Sequence, residues 1–229
     1  MQRMSENALV FMVKWPEPGR AKTRLSPPLS LVEAADLARA FLLDTLAEAS
    51  RADADRWLAF APAAAAGSIR SLAGPDVGLI EAEASDLGRA LDRAQCAALA
   101  MGYRKVALVA SDLPHLDAAR YADAFTALQR VEVAIGPSSD GGYYLLAAAR
   151  STPHLFRDVA WSTASVYDET LRRAAEAGLY VTPIAGCDDV DTASDLVWLR
   201  DALRHRPGAG HTRSVLERCS WLSDGAAAG

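Results

Sequence analysis

Residues 10–25 read VFMVKWPEPGRAKTRL and are the most informative stretch of the chain. Its first four residues are apolar, and the run ends abruptly in a turn that contains two prolines and a glycine. An apolar run that stops at such a turn is typical of a buried β-strand leaving a sheet. The turn carries four basic residues and one acid, Glu17, in a chain whose net charge is −5. The positive charge is therefore a local feature of this turn.

The basic residues of the turn are close enough in sequence to meet on one anion. They are Lys14, Arg20, Lys22 and Arg24. Guanidinium groups suit bidentate contacts with phosphate, and a lysine supplies a point charge. Residues 14–24 are therefore predicted to hold a polyphosphate at the end of the first strand. A solvated surface turn is the alternative interpretation.

Composition narrows the class of protein. With 229 residues, of which 51% are hydrophobic, the chain can form one large α/β domain or two small ones. An acidic net charge argues against nucleic acid as the main partner, and no apolar run approaches the ~20 residues that span a bilayer. The N-terminus has no room for a secretory signal, and three widely spaced cysteines form neither a disulfide nor a metal pattern. We expect a cytoplasmic protein that binds neither nucleic acid nor membranes.

Short apolar runs alternate with helical patterns along the chain. Strands are predicted at 8–13, 57–61, 77–82, 106–110, 131–135, 143–148 and 179–184. Helices are predicted at 30–49, 63–71, 87–101, 117–130, 164–177 and 193–204. This alternation predicts an α/β fold of three layers, α/β/α, with a mostly parallel sheet covered on both faces. We assign residues 1–204 to this domain and residues 205–229 to a linker and a short helical tail, with a helix at 212–222.

Two acidic segments follow predicted strands. Asp112 comes directly after strand 106–110, and ligands bind beyond the carboxyl ends of parallel strands. Asp191 ends a run with three acids in four residues, which repel one another unless a cation is near or the loop is well solvated. Mg²⁺ prefers few carboxylates together with phosphate oxygens of the substrate. We predict a two-carboxylate site for Mg²⁺ (or Mn²⁺) at Asp112 and Asp191, although either residue could instead cap a helix or a turn.

Two further segments are candidates for a second ligand. The sequence Asp140-Gly141-Gly142-Tyr143 lies between extended runs, which predicts a hairpin, and its glycines allow a ligand to approach the backbone. Trp161, Ser162 and Thr163 precede helix 164–177, where Ser162 or Thr163 is expected to be the N-cap. Free amides at that helix N-terminus could also bind an acceptor phosphate or carboxylate. These seven residues are predicted to line an acceptor pocket.

Other chemistries are disfavoured. The four histidines show no metal spacing, and no serine, cysteine or histidine arrangement indicates covalent catalysis. There is neither a Gly-x-Gly-x-x-Gly motif nor a Walker loop, which argues against a nicotinamide enzyme and a P-loop kinase.

Five motifs occur in an order that resembles a known family. They are Lys-x-Pro-x-Pro-Gly-Arg-x-Lys-Thr-Arg-Leu at 14–25, Ser-Asp-x-Pro at 111–114, Gly-Pro-x-x-Asp-Gly-Gly-Tyr-Tyr-Leu at 136–145, Trp-Ser-Thr at 161–163 and Asp-Val-Asp-Thr at 189–192. Residues 8–203 resemble bacterial glycosyltransferase-like transferases of the GT-A fold, of the radical-SAM or selenodomain-associated type. More distantly, they are similar to 2-phospho-L-lactate guanylyltransferases and to molybdenum-cofactor and sugar nucleotidyltransferases.

The resemblance implies a nucleotide-diphospho-sugar transferase fold and roles for particular residues. It implies a divalent metal at Asp112 and Asp191, with Lys22, Arg24 and Asp112 in the catalytic step. The residues implied to bind the nucleotide are Lys14, Gly19, Arg20, Lys22, Thr23, Arg24, Asp86 and Ser111. Around Asp86 the chain keeps Asp-Leu-Gly but lacks the glycine and glutamine expected just before it.

The expected activity is transfer of a nucleoside monophosphate from a nucleoside triphosphate to a small phosphate-, phosphonate- or carboxylate-bearing acceptor, with release of pyrophosphate. One alternative is a glycosyltransferase that uses a nucleotide-sugar, and another is a nucleotide-binding protein without catalysis. The expected partners are the nucleotide and a small anionic acceptor, and a homodimer is left open.

Overall fold

A seven-stranded sheet forms the middle layer of the computed structural model, which describes residues 5–204 and 206–219. The strands are β1 (Asn7–Lys14), β2 (Asp55–Ala61), β3 (Gly78–Glu81), β4 (Lys105–Ala110), β5 (Val133–Pro137), β6 (Tyr143–Ala148) and β7 (Val181–Pro183). Their order across the sheet is β3-β2-β1-β4-β6-β5-β7. Only β6 runs antiparallel to its neighbours, so the predicted three-layer fold with a mostly parallel sheet is confirmed.

Helices cover both faces of the sheet. They are α1 (Leu31–Ala49), α2 (Ala66–Ala73), α3 (Leu87–Ala100), α4 (Ala119–Ala127), α5 (Val166–Glu176), α6 (Ala193–Leu203) and α7 (Gly210–Arg218). Within residues 5–204 and 206–219, no helix is both long and apolar enough to cross a bilayer.

Strand β1 shows why the sheet is buried on both sides. Successive side chains of a strand point to opposite faces. Leu9, Phe11 and Val13 join a core with α1, α2 and α4, whereas Ala8 and Val10 join a second core with α3 and α5. A strand that is apolar at six successive positions, as β1 is from Ala8 to Val13, therefore needs a layer of helices on each face.

The strand order reverses next to β1, and this reversal fixes the place of the site. From β1 the chain moves to β2 and β3 on one side, and it then returns to form β4 on the other side. Ligands of open α/β sheets bind at such a switch point, beyond the carboxyl ends of the strands. The basic turn follows β1 and Asp112 follows β4, so both lie at this point.

The reversed strand β6 brings a third segment to the same edge. Because β6 is antiparallel to β4 and β5, the β5–β6 hairpin turn at residues 138–142 lies beside the carboxyl end of β4. The predicted hairpin is confirmed.

Several helix boundaries differ from the predictions. Helix α2 was expected over 63–71 but extends from Ala66 to Ala73. Helix α4 was expected over 117–130 but extends only from Ala119 to Ala127. Asp117 accepts a hydrogen bond from the amide of Ala119 at 2.8 Å without being the N-cap. Helix α5 begins at Val166, after an additional turn, so the expected N-cap role of Ser162 or Thr163 is wrong.

The last described segment packs onto α1. Leu37 and Phe41 of α1 share a third apolar cluster with α6 and α7, including Leu199 and Leu216. Ahead of α7, the Arg206 guanidinium donates to the carbonyl oxygen of Leu116 at 2.8 Å. Helix α7 was predicted over 212–222 but extends from Gly210 to Arg218, and Cys219 has an extended backbone. Positions 220–222 lie outside the described residues.

Candidate functional site

The basic turn folds back over the carboxyl edge of the sheet. Arg39 of α1 donates to the carbonyl oxygen of Pro16 at 2.8 Å, and a short 3₁₀ turn, Thr23–Leu25, buries Leu25 completely. Between these anchors Lys22 has a left-handed backbone, with φ 45° and ψ 40°. A non-glycine residue in this region is strained by about 1 kcal/mol or more, and such strain is concentrated at functional sites.

Lys22 joins the two predicted metal ligands. Its Nζ contacts Oδ2 of Asp112 and lies 2.9 Å from Oδ1 of Asp191. Only 10% of the Lys22 side chain is exposed. Burial lowers the pKa of this ammonium, but Asp112 and Asp191 outweigh burial, so the net shift of the pKa is upward. The two carboxylates therefore converge on one point, although they are 79 positions apart in the chain (191 minus 112).

A capping box leaves Asp191 available to the site. Thr192 is the N-cap of α6, and the Asp195 carboxylate accepts hydrogen bonds from the amides of Asp191 and Thr192 at 3.0 and 2.7 Å. The alternative in which Asp191 caps this helix is therefore wrong. Its Oδ2 instead accepts from Arg24 at 3.3 Å.

Sequence reasoning missed Asp189. Burial, together with the nearby Asp112 carboxylate, raises the pKa of Asp189 to about 7. Its Oδ1 is buried and has no hydrogen-bond partner among the described residues. The crowding of acids at 188–191 was the available signal, but it does not say which acid turns inward.

Two cavities meet at these side chains. The first has a volume of about 420 Å³ and lies between the basic turn, α1 and the end of β4. Of the predicted residues, it is lined by Lys14, Arg20, Lys22, Thr23, Arg24, Ser111, Asp112 and Asp191. The second has a volume of about 540 Å³ and lies between β4, the hairpin turn and α5. Both cavities share Met12, Arg24, Ala110 and Asp191 as walls, so a ligand in one adjoins a ligand in the other.

The second cavity collects most of the predicted acceptor residues. It is lined by Asp140, Gly142, Tyr143, Trp161, Ser162 and Thr163. Leu87 and Leu91 of α3, which were not predicted to contribute, add apolar side chains to the wall that contains Tyr143 and Trp161. The rings of Tyr143 and Trp161 pack edge to face at 6.3 Å. The charged residues on its walls are Arg24 and three aspartates.

The hairpin turn is held by its own hydrogen bonds. The amide of Gly142 donates to Asp140 at 2.9 Å, and that of Gly141 donates to the Ser138 carbonyl at 3.2 Å. The Gly141 carbonyl accepts from the amide of Tyr167, in the first turn of α5, at 2.8 Å. These amides, which were candidates for acceptor contacts, are therefore satisfied within the protein.

Two predicted nucleotide ligands lie apart from the charged cluster. Asp86 is the N-cap of α3 and accepts from the amide of Arg89 at 2.9 Å. It lines a third cavity of about 600 Å³ that also contacts Trp161. Gly19 lies in the basic turn with φ 77° and provides its reversal.

The loops that carry the aspartates are also linked behind the site. Cys187 Sγ lies 3.1 Å from Nε2 of His115, and the His115 ring packs edge to face on Trp198 at 4.9 Å. Burial and the nearby Arg206 lower the pKa of His115 to about 4. The imidazole is therefore neutral at pH 7 and contributes packing between the loops.

The arrangement fits a divalent cation of the Mg²⁺ type. No group of three or more His, Cys, Asp or Glu side chains within the described ranges has the geometry of a metal site. Mg²⁺ needs only one or two carboxylates when phosphates and waters complete its shell. Asp112 and Asp191 supply two, and Asp189, whose Oδ1 has no partner among the described residues, lines the second cavity together with Asp191.

Solved structures with a similar fold include one with substantial sequence identity. A protein from Desulfovibrio desulfuricans G20, assigned as a nucleotide-diphospho-sugar transferase, is 32% identical, with a TM-score of 0.89 over 97% of this chain and 98% of that one. A cytidylyltransferase from Leptospira borgpetersenii is 11% identical, with a TM-score of 0.57 over 98% and 96% of the two chains. Rv0371c from Mycobacterium tuberculosis H37Rv, in complex with manganese, is 18% identical, with a TM-score of 0.51 over 88% and 100%. The last two show the likeness of fold alone.

No protein of curated function matches the sequence. The model of the family described as "Uncharacterized protein conserved in bacteria (DUF2064)" matches residues 43–163, which is more than half of the chain. Together with the identity to the Desulfovibrio protein, this match shows that the chain belongs to the DUF2064 family.

Proposed function

We propose that the protein is a Mg²⁺- or Mn²⁺-dependent nucleotidyltransferase. It transfers a nucleoside monophosphate from a nucleoside triphosphate to a small acceptor and releases pyrophosphate. The observation that carries this proposal is the convergence of Asp112, Asp191, Lys22 and Arg24 where two cavities meet. Opposite charges gathered at one point between two ligand-sized spaces suit transfer of a charged group from one ligand to the other.

The first cavity would hold the triphosphate. An oxygen of the acceptor forms a bond to the α-phosphorus, and the bond from that phosphorus to the bridging oxygen of the β-phosphate breaks. The bridging oxygen keeps the electron pair and leaves with pyrophosphate. Lys14, Arg20 and Lys22 line this cavity and would neutralise the charge that develops on the leaving group. One well-oriented cation contributes about 10³-fold or more in phosphoryl transfer, or about 4 kcal/mol.

Asp112 and Asp191 would hold the divalent ion, which when bound withdraws charge from the α-phosphate. Arg24 orients Asp191 through its contact with Oδ2 and lines both cavities. It can therefore contact the transferred phosphoryl group from the acceptor side. The reaction needs only positioning and charge stabilisation, and no covalent enzyme intermediate.

The second cavity narrows the acceptor class. Arg24, its basic wall residue, lies at the junction with the first cavity, while Leu87, Leu91 and Trp161 line the body of the space. We therefore propose an acceptor with one phosphate, phosphonate or carboxylate nucleophile at the Arg24 end and an uncharged, largely apolar body. The other charged residues on the walls of the cavity are Asp140, Asp189 and Asp191, so a second anionic group on the acceptor would meet carboxylates instead of a cation.

Measurement of the released product tests this proposal. Purified protein is incubated with Mg²⁺, each common nucleoside triphosphate and a panel of small monoanionic and dianionic acceptors, and pyrophosphate is quantified. A thermal-shift screen of the same triphosphates identifies the base, because a ligand at a hundredfold excess over its Kd stabilises by ~2.7 kcal/mol. Nucleotide-dependent stabilisation without turnover on any acceptor would instead favour a binding protein without catalysis.

Glycosyl transfer is a second candidate function, favoured by the 32% identity to the Desulfovibrio protein assigned as a nucleotide-diphospho-sugar transferase. The number of cations in the basic turn argues for a triphosphate, because a diphosphate donor needs fewer. Release of a free nucleoside diphosphate from a nucleotide-sugar, without pyrophosphate release from any triphosphate, would decide for this alternative.

A further inference from the structure

The Lys22 ammonium lies where two carboxylates meet. It contacts Oδ2 of Asp112 and Oδ1 of Asp191, the latter at 2.9 Å, and the side chain is almost fully shielded from water. Other basic side chains of the turn are far more open. Arg20 is 67% exposed and pairs with Glu17, while Arg24 is 70% exposed. Lys22 is thus set apart from Arg20 and Arg24 by its burial and by its two carboxylate partners.

These carboxylate oxygens are also the ones a divalent ion would need. Mg²⁺ binds carboxylate oxygens at 2.0–2.1 Å and keeps near-ideal octahedral geometry. An ammonium that already hydrogen-bonds the same two oxygens occupies the space between them, and a dication there would repel it strongly in a site of low dielectric constant. Lys22 and the metal ion cannot therefore share Asp112 and Asp191 in the arrangement that the structure has.

We propose that Lys22 and the divalent cation bind Asp112 and Asp191 in alternation, so that the ion enters only as the Lys22 ammonium leaves. Lys22 is then the internal counter-ion of the metal-free site. This inference rests on the proposed function, because it takes Asp112 and Asp191 as the metal ligands.

Neighbouring residues can stabilise both states of the site, the one with Lys22 and the one with a metal ion between Asp112 and Asp191. Without a metal ion, Lys22 compensates two carboxylates that would otherwise repel each other, and loss of one partner from a buried ion pair is costly. When Lys22 leaves, it has a second environment close by, because it already lines the first cavity, where the triphosphate would lie. Arg24 remains on Asp191, and the unpartnered oxygen of Asp189, in the wall of the second cavity that Asp191 also lines, is a further oxygen ligand that an ion could use.

Direct metal binding tests the alternation. Mn²⁺ is titrated into nucleotide-free protein, and free Mn²⁺ is measured by electron paramagnetic resonance for wild type, Lys22→Met, Lys14→Met and Asp112→Asn. Lys22→Met is expected to bind Mn²⁺ about tenfold more tightly or better, because it removes a buried competing cation. Lys14→Met is the matched control, since Lys14 lines the same cavity but forms no ion pair with Asp112 or Asp191 within the described part of the chain. It is expected to change the affinity less than about twofold, as for exposed charges.

Equal or weaker Mn²⁺ binding by a folded Lys22→Met would overturn the alternation. If neither wild type nor Lys22→Met binds Mn²⁺, or if Asp112→Asn leaves the affinity unchanged, the metal ligands themselves are wrong and the proposed function fails with them. Metal binding in wild type that Asp112→Asn abolishes, with no gain in Lys22→Met, refutes only the present inference.

A measurement on the unmodified protein covers the case in which Lys22→Met does not fold. Wild-type protein is treated with an amine-acetylating reagent with and without Mn²⁺, and acetylation of each lysine is quantified by peptide mass spectrometry. Mn²⁺ should accelerate acetylation of Lys22, because the released ammonium becomes exposed and loses its carboxylate partners. Lys105 is the internal reference. It lies away from the site, and its ammonium donates a hydrogen bond to the carbonyl oxygen of Phe125 at 2.9 Å. An unchanged or slower rate at Lys22 would contradict the proposal.

Discussion

The contact between the hairpin turn and α5 makes Gly141→Ala a sharp test of how the second cavity is built. Gly141 has φ 86°, and an added Cβ would lie 2.0 Å from the carbonyl oxygen of Ala164. Left-handed backbone costs an alanine about 1–2 kcal/mol. The turn must also withdraw by more than an ångström, which breaks the 2.8 Å hydrogen bond from the Tyr167 amide to Gly141 at a further cost of about 1–2 kcal/mol. We expect a loss of about 3 kcal/mol in the free energy of unfolding, or roughly 6–12 °C in Tm for a chain of this size.

Gly178→Ala is the matched control. Gly178 follows the other end of α5 with φ 65°, and a Cβ there would meet no atom within 4 Å. It therefore carries the backbone cost alone, about 1 kcal/mol. Urea unfolding of both variants measures the difference in their free energies of unfolding. Nucleotide binding tests whether the damage is confined to the second cavity, because no residue of the hairpin turn 138–142 lines the first cavity. If Gly141→Ala is no less stable than Gly178→Ala, the close approach of turn and helix is not a rigid feature. A loss of nucleotide affinity would equally refute the separation of the two cavities.

Three other predictions concern catalysis, pH and the acceptor wall. Asp112→Asn and Asp191→Asn should each lower kcat with Mg²⁺ by about 10³-fold or more, with unchanged circular dichroism; wild-type pyrophosphate release by either variant would sink the metal assignment. Since burial and Arg206 hold the pKa of His115 at about 4, below its usual 6.5, the folded protein binds fewer protons than the unfolded chain between these values, and stability falls as the pH drops through this window. Urea unfolding at neutral pH and near pH 4 should show a loss smaller by up to about 3 kcal/mol in His115→Gln than in wild type, and equal losses would contradict the reasoning. The side chain of Leu87 is 46% exposed and lines the second cavity. Leu87→Asp should therefore raise the KM for the acceptor about tenfold, through loss of an apolar contact, without changing the KM for the triphosphate. An unaltered KM for the acceptor would show that this wall does not contact the acceptor.

Local patterns in the sequence predicted most of the fold. The apolar run at the start of the chain and the Asp-Gly turn at 140–141 are short-range signals, and the structure bears out both. The place of Asp112 followed from a general rule about parallel sheets rather than from its neighbours in sequence. The alternation of strands and helices was therefore sufficient to predict which strand ends lie at the same edge of the sheet.

Long-range packing set the limit of that reasoning. Nothing near Asp189 in sequence distinguishes it from Asp188, yet Asp189 lines the second cavity while Asp188 accepts a hydrogen bond from the amide of Ser139 at 2.7 Å. The start of α5 was misplaced because the Gly141 carbonyl, rather than a local side chain, satisfies an amide in its first turn. The bridging role of Lys22 depends on Asp112 and Asp191, which are more than 80 positions further along the chain. No rule based on residue spacing could have predicted this contact.

The second cavity takes its hairpin and α5 walls from one continuous stretch, residues 140–166, whereas the first is built from residues 12–42, 110–112 and Asp191. Because of this division, residues 140–166 could be exchanged as one segment without replacing any residue of the first cavity. A chimera in which this stretch is replaced by the corresponding stretch of a relative should acquire the acceptor specificity of the relative. It should keep the nucleotide specificity of the present protein. Diversification within the family could proceed by such exchanges without disturbing the charged centre.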